Sequence, residues 1–276
     1  MAIRMIATDL DGTLLLPDKT TSPRTRDAIR AAQEAGILVI PATGRSVIDM
    51  PAILPPELGE LAVCSNGAVV YNANADQVLL ERPISAGVCK TLIKEVSRLA
   101  PGTKFATLID RGYGILPGPG YLSLMQPGNH GRNPDDLDEI SLDELWAQDA
   151  VKIIARHASI GLDELFEICQ RASHAGVNPT TSGVPFIEMS AAGVSKASTL
   201  ELLATRHGIA TSEVAAIGDS ANDVEMITWA GLGVAVASGT PDALAAADQI
   251  IAANTEDGVA AFIERVLHAS DEPVPS

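Results

Sequence analysis

Ile3-Arg4-Met5-Ile6-Ala7-Thr8-Asp9-Leu10-Asp11-Gly12-Thr13 is the stretch on which the reading of this chain turns. Its apolar first half, Ile3 to Ala7, reads as a short buried strand that runs into two carboxylates two residues apart. Side chains alternate faces on extended backbone, so Asp9 and Asp11 are expected to point the same way. Like charges that close repel unless a cation or a shared proton offsets them. Gly12 lets the backbone turn and a ligand approach. A hard ion that takes oxygen ligands and keeps several waters, Mg2+, suits such a pair. A bare Asp-X-Asp is equally an ordinary solvated turn. The strand before it and the Gly-Thr after it favour the metal reading.

Outward from this stretch, short apolar runs alternate with helical patterns. Ser22-Pro23 supplies an N-cap and a proline at the first helical position, and the helix is predicted to reach Ala35 and stop at Gly36. Ile37 to Ile40 is the next predicted strand, followed by Thr43-Gly44-Arg45, and Leu61 to Cys64 is another, ending in Ser65-Asn66-Gly67. Near the other end, Ser195 is placed to cap a helix from Lys196 to about His207. Val214 to Ile217 is a strand ending in Gly218-Asp219-Ser220-Ala221-Asn222-Asp223, and Gly233 to Ala237 and Gln249 to Ile251 are two more. The expected fold is α/β, an open parallel-sheet, Rossmann-like core. In such sheets the ligand crevice lies outside the carboxyl ends of the strands. Four polar clusters remote in sequence are therefore expected to converge there.

Each cluster has its own chemistry. Lys196 at a helix start adds an ammonium to a terminus that already favours an anion. Thr43 and Gly44 offer a hydroxyl and backbone N–H groups to phosphate oxygens. Asp219 and Asp223 supply carboxylates that could complete a metal site. Ser65-Asn66-Gly67 is first of all a turn signal. The histidines are scattered and take no assignment.

The middle of the chain reads differently. Residues 84–190 hold a predicted helix (Val88 to Leu99), a Gly/Pro-rich stretch from Gly112 to Pro134, and a strand (Val151 to Ala155). A second helix (Leu162 to Ala175) and a strand near Phe186 to Met189 follow. This segment is expected to be an inserted α/β cap domain, tethered near Pro83 and Ala191 to a catalytic core of residues 1–83 and 191–276. The cap is expected to select the substrate, with the Gly112 to Pro134 stretch (Tyr113, Tyr121, His130 and Arg132) as part of the reading surface.

Composition narrows the function. The 276 residues are 46% hydrophobic, and only 3% are aromatic. Ala, Val, Ile and Leu therefore dominate, as in helices packed on buried parallel strands. A formal charge of −16 and a pI near 4.6 disfavour a phosphate backbone or an anionic membrane as partner. Neither nucleic acid nor membrane is expected, and no run of about 18 apolar residues exists. Three scattered cysteines without CxxC spacing, and no signal-peptide pattern, read as a reduced cytoplasmic protein. The tail from Ser270 to Ser276 reads as frayed.

The four clusters in this order resemble the haloacid-dehalogenase-like phosphatase superfamily, in particular its Cof-type branch. Asp9-Leu-Asp-Gly-Thr matches the first motif, Thr43-Gly-Arg the second, Lys196 the third and Gly218-Asp-Ser-Ala-Asn-Asp the fourth. Val234-Ala-Val-Ala, Gly239-Thr-Pro and Glu256-Asp-Gly-Val resemble further signatures. Ala197 and Ser238 depart from the Gly and Asn common there. The resemblance implies a magnesium-dependent phosphatase that hydrolyses a small phosphorylated metabolite, such as a sugar phosphate. Asp9 would be the nucleophile and Asp11 the general acid and base. Mg2+ would be held by the Asp9 and Asp219 side chains and the Asp11 carbonyl, with Asp223 behind them. Leu10, Thr43, Gly44, Lys196 and Asn222 would bind the phosphoryl group, and Arg45 and Asn66 are further candidates for substrate contact. A phosphomutase on the same core, a non-catalytic phosphometabolite-binding protein and a phospho-signalling receiver domain are the rival readings. The receiver would need neither Asp11 nor the insert.

Overall fold

The computed structural model describes residues 2–126 and 132–271; His130 and the tail beyond 271 lie outside the described residues. The chain opens with β1 (Met5–Thr8), α1 (Pro23–Glu34) and β2 (Leu38–Pro41), then a short helix α2 (Met50–Ile53). A three-stranded antiparallel sheet of β3 (Ala62–Cys64), β4 (Val69–Asn72) and β5 (Gln77–Glu81) follows. Next come α3 (Ala86–Leu99), β6 (Lys104–Ile109), β7 (Gly114–Pro117), α4 (Leu142–Leu145) and β8 (Lys152–Arg156). After these lie α5 (Leu162–Ala172), β9 (Val177–Thr180) and β10 (Ile187–Ala191). The last part holds α6 (Lys196–Arg206), β11 (Val214–Gly218), α7 (Val224–Trp229) and β12 (Leu232–Val236). It ends with α8 (Pro241–Ala246), β13 (Gln249–Ile251) and α9 (Gly258–Asp271).

The core sheet has the order β13-β12-β11-β1-β2, and every neighbouring pair is parallel. All four residues of β1 are buried, as an apolar run in the middle of a two-sided sheet must be. β1 takes β11 on one side and β2 on the other, so the strand order reverses beside it, and Asp9 follows it directly. The helix starts follow their caps. Ser22 accepts from the Thr25 N–H ahead of Pro23, and Gly36, with φ +82°, turns the chain after α1.

Between β5 and α6 lies the inserted α/β cap domain, whose antiparallel sheet has the order β7-β6-β8-β10-β9. Strand alternation gives this sheet two different faces. Phe105, Ile153, Ala155, Ile187 and Met189 pack on α3 and α5. Ala106, Leu108 and Ile154, pointing the other way, join the apolar cluster that contains Ile6 and Leu10 of the core. The cap sheet thus turns one face toward the parallel sheet, and Lys152 and Glu188 on that face line the crevice.

Two expectations about strands need correction. Leu61 to Cys64 was expected to extend the parallel sheet; β3 instead pairs antiparallel with β4 and meets β2 through one bridge, Ala42 to Val63, and the Thr43 N–H to Val63 carbonyl bond of 2.7 Å. Five strands, β4, β5, β6, β7 and β9, escape the sequence reading. β7 and β9 are edge strands carrying Pro117 and Pro179. Proline is tolerated at an edge, where no ladder donor is needed, and there it masks the strand pattern.

Candidate active site

Asp9 leaves the end of β1 with its N–H bonded to the Ile217 carbonyl of β11 at 2.9 Å, so the two central strands fix its position. Its carboxylate is buried, and Lys196 donates to it at 2.6 Å and to Asp223 at 2.7 Å. Lys196 is the first residue of α6. Ser195 caps this helix by accepting from the Ser198 N–H at 3.1 Å, while the Ser198 hydroxyl accepts from the Ser195 N–H at 3.0 Å. Burial pushes Asp9 well above the usual carboxylate range, the nearby Asp223 and Asp219 push it further, and Lys196 opposes them. Burial alone would lower Lys196, but Asp223 and Asp9 outweigh it and raise it, which favours the ammonium form.

The side-chain oxygens of Asp9, Asp219 and Asp223 lie within 4.8 Å of one another. Among the described residues the three carboxylates share one ammonium, that of Lys196. Burial raises Asp219 as well. Asp219 accepts from the Thr13 hydroxyl at 2.7 Å and the Ser220 hydroxyl at 3.0 Å. Asp223 is turned inward: one oxygen holds Lys196 and the other accepts the Asp219 and Ser220 N–H groups, both at 3.0 Å. The all-oxygen donor set fits a hard divalent ion. Asp9 and Asp219 would hold such an ion directly, while Asp223, with both oxygens engaged by Lys196 and the Asp219 and Ser220 N–H groups, would stand behind them. Gly12 makes the approach feasible. It has φ +86°, and a Cβ there would stand 2.6 Å from an Asp219 oxygen.

Asp11 was expected to point with Asp9. Its carboxylate lies outside the three-carboxylate group and takes Arg45 in a bidentate pair at 2.5 and 2.7 Å and Lys19 at 2.8 Å. The turn that begins at Leu10 breaks the alternation on which the expectation rested. Burial alone would raise Asp11, but hydrogen bonds from Arg45 and Lys19 hold it below the usual carboxylate range.

The second and third clusters meet at Asn66. Ser65 and Asn66 both adopt left-handed backbone, with φ of 51° and 55°, a strain that for non-glycine residues marks functional turns. The Asn66 N–H bonds the Thr43 carbonyl at 3.0 Å, and its side chain accepts from Asn222 and donates to Glu188, each at 3.1 Å. Thr43 is buried and accepts the Arg45 N–H at 3.1 Å, which leaves its hydroxyl proton for a ligand. The Leu10 side chain is fully buried, so only its backbone can serve a ligand.

A cavity of about 430 Å³ lies between core and cap, with Asp9, Asp219, Thr43, Gly44 and Asn222 on the core side. The cap contributes Lys152 and Glu188, both buried and absent from the sequence expectations. A charge inside an otherwise apolar strand, Val151-Lys152-Ile153-Ile154 and Ile187-Glu188-Met189, was the available signal. The expectation that Tyr121 reads the substrate is corrected. Its ring is fully buried in the apolar cluster beneath Arg156, whose Nε reaches its hydroxyl at 3.2 Å. Arg132 turns back to the Tyr113 carbonyl, and neither residue lines the cavity.

The sequence profile of the haloacid dehalogenase-like hydrolase family matches residues 6–263. Pyridoxal phosphate phosphatase YbhA of Escherichia coli K12 is 30% identical over 273 residues, covering 95% of this chain and 98% of its own. The 5-amino-6-(5-phospho-D-ribitylamino)uracil phosphatase YwtE of Bacillus subtilis is 27% identical, over 96% and 98% respectively. A solved haloacid dehalogenase-like hydrolase from Bacteroides thetaiotaomicron superposes with a TM-score of 0.72 at 27% identity, over 96% and 99%. No described helix is long and apolar enough to cross a membrane. With the profile spanning both core and insert and the relatives matched along nearly their whole length, the chain belongs to the haloacid dehalogenase-like hydrolase family.

Proposed function

We propose that this chain is a magnesium-dependent phosphatase that hydrolyses a small phosphorylated metabolite through an aspartyl-phosphate on Asp9. The observation that carries the reading is a buried carboxylate held by the ammonium of Lys196, with two more carboxylates within 4.8 Å, beside a cavity that a second domain covers. An Asp9 oxygen attacks phosphorus, and as that O–P bond forms the bond to the alcohol oxygen breaks. The departing alkoxide takes a proton from Asp11. Water then attacks phosphorus, gives its proton back to Asp11 and releases phosphate from Asp9. In the resting state Arg45 and Lys19 keep Asp11 ionised, the form that activates water. To act as the acid it must first exchange those partners for a proton.

Magnesium on the Asp9 and Asp219 carboxylates and the Asp11 carbonyl would neutralise phosphoryl charge. Asp223 stays behind, positioning Lys196 and the Asp219 loop. Lys196, the Thr43 hydroxyl, the Asn222 amide and the Leu10 and Gly44 N–H groups are the donors for the phosphoryl oxygens. The relatives are named for pyridoxal phosphate and a phosphoribitylaminouracil, both phosphorylated small molecules, which supports a substrate of that kind here. Residues 84–190 serve as the substrate-selecting domain, the rest as the catalytic core. Three buried free cysteines agree with a reducing cytoplasm. The test is phosphate release from a panel of phosphorylated metabolites with magnesium and after chelation, with Asp9→Asn alongside. Release that survives exhaustive EDTA, or that persists in Asp9→Asn, would overturn the assignment.

A further inference from the structure

Lys152 and Glu188 stand on neighbouring antiparallel strands of the cap. Glu188 lies opposite Ile154, and Lys152 is two residues from Ile154, so both side chains are on one face as diagonal neighbours. That face looks toward the core. Lys152 donates to Glu188 at 2.5 Å and crosses to the Gly44 carbonyl at 2.6 Å. The other Glu188 oxygen accepts from Ser182 at 2.8 Å and from Asn66 at 3.1 Å. A buried ion pair of the cap thus joins the loop carrying Thr43 and Gly44, with side chains only 3% and 5% exposed. Both residues line the cavity that Asp9 and Asp219 line from the other side.

The wiring leaves one opening. An ammonium has three N–H donors, and among the described residues two of those of Lys152 are taken, by Gly44 and Glu188. Glu188 already accepts three hydrogen bonds. The charge of the pair is zero, and Lys152 is the cap's only cation on the cavity wall among the described residues. The core-side cations Lys19 and Arg45 bond Asp11 in the resting site and stand across the cavity from the cap wall. Around the pair the cap wall carries Leu108, Val184 and Phe186, together with Ser182, whose hydroxyl donates to Glu188, and it adds no further cation among the described residues. A second phosphate placed there would meet one neutralised ammonium and greasy side chains, whereas dianions need uncompensated positive charge or an arginine fork.

We propose that Lys152, positioned by Glu188, donates a hydrogen bond to a neutral hydroxyl or carbonyl oxygen on the alcohol part of the ester. The selected substrate is then a hydroxyl-bearing monophosphate of sugar or polyol type and not a bisphosphate. This rests on the phosphatase reading and goes beyond it in naming the group read and the residue that reads it. It also separates the chain from a mutase, whose cap must hold a second phosphate.

The experiment compares kcat/KM for a hexose 6-phosphate, a pentitol phosphate, n-hexyl phosphate and a hexose bisphosphate. The proteins are wild type, Lys152→Met/Glu188→Leu and Lys152→Gln. The double variant removes both buried charges together, the change that buried ion pairs tolerate best, and thermal unfolding and p-nitrophenyl phosphate turnover confirm that each variant is folded. In wild type the hydroxylated monophosphates exceed both the alkyl phosphate and the bisphosphate. In the double variant the ratio of hydroxylated to alkyl ester falls tenfold or more, chiefly through KM, and Lys152→Gln, which keeps a donor, recovers part of it. A ratio unchanged in an active double variant, or a wild type that prefers the bisphosphate, overturns the inference and leaves the phosphatase reading standing. A wild type that releases no phosphate from any ester, p-nitrophenyl phosphate included, overturns the phosphatase reading itself and the inference with it.

Discussion

Replacing Lys196 with methionine keeps the side chain's length and removes the only ammonium among three crowded carboxylates. At an effective dielectric of about 20, contacts of 2.6 and 2.7 Å are each worth about 6 kcal/mol of attraction. Removing the burial cost of the ammonium offsets much of that. Ionised carboxylates within 4.8 Å of one another repel by at least roughly 3.5 kcal/mol per pair on the same scale. Breaking a buried pair from one side costs about 3–5 kcal/mol net. With an unfolding entropy of about 2.1 cal/mol/K per residue over 276 residues, this lowers the melting temperature by about 5–9 °C. The pH dependence has a definite sign. Asp9 and Asp219 have folded pKa values raised above their unfolded ones, and without Lys196 both rise further. The folded variant therefore binds protons more tightly than the unfolded chain, and it regains stability as pH falls through those values. Calorimetry on metal-free protein should show the full deficit at pH 7.5 and a clearly smaller one at pH 5. Millimolar magnesium at pH 7.5 should narrow the gap by restoring positive charge. A melting temperature within 2 °C of wild type at pH 7.5, or an equal deficit at both pH values, would refute the charge argument.

Asp11→Asn should slow alkyl phosphates by about 10²–10⁴-fold and p-nitrophenyl phosphate far less, because nitrophenolate leaves without a proton; equal losses would make Asp11 structural. Gly12→Ala combines a left-handed backbone, costing about 1–2 kcal/mol, with a Cβ at 2.6 Å from Asp219. Magnesium binding measured by calorimetry should weaken at least about tenfold, and unaltered affinity would show that Asp219 is not a ligand. Glu188 is held below its ordinary value of 4.5: burial alone would raise it, and Lys152 outweighs burial. Stability from the pair is therefore complete above that value and lost as pH falls through the lower folded one. The melting-temperature difference between wild type and Lys152→Met/Glu188→Leu should change below about pH 4.5 and stay constant from pH 6 to 8. A difference that shifts within the neutral range would contradict the assigned ion pair.

Local properties were legible in the sequence. The apolar run before Asp9, the Ser22-Pro23 start and Gly36 stop of α1, and the Ser195 cap ahead of Lys196 depend on residues a few positions apart. The rule that ligands gather at strand ends in an open parallel sheet groups Asp9, Thr43, Asn66 and Asp219 into one candidate site, and the family resemblance adds Lys196. Edge strands were harder to read, since β7 and β9 carry prolines that suppress the pattern.

Which groups touch was decided only by tertiary structure. Lys196 and Asp9 are 187 residues apart in sequence, and the packing of α6 against the sheet beside β1 places them at 2.6 Å. The alternation argument for Asp9 and Asp11 failed because the chain stops being extended at Leu10, sending one carboxylate to Lys196 and the other to Arg45 and Lys19. Tyr121, expected from its place in the Gly112 to Pro134 stretch to read the substrate, is buried in the apolar cluster that the cap shares with the core. Lys152 and Glu188 look in sequence like isolated charges in apolar strands. Docking the cap sheet's face onto the core turns them into a buried pair above the crevice. Caps, turns and strand runs are set by near neighbours, whereas the partner of a buried charge is set by how the sheets pack. The sequence therefore names the reacting groups, and the fold determines what surrounds them.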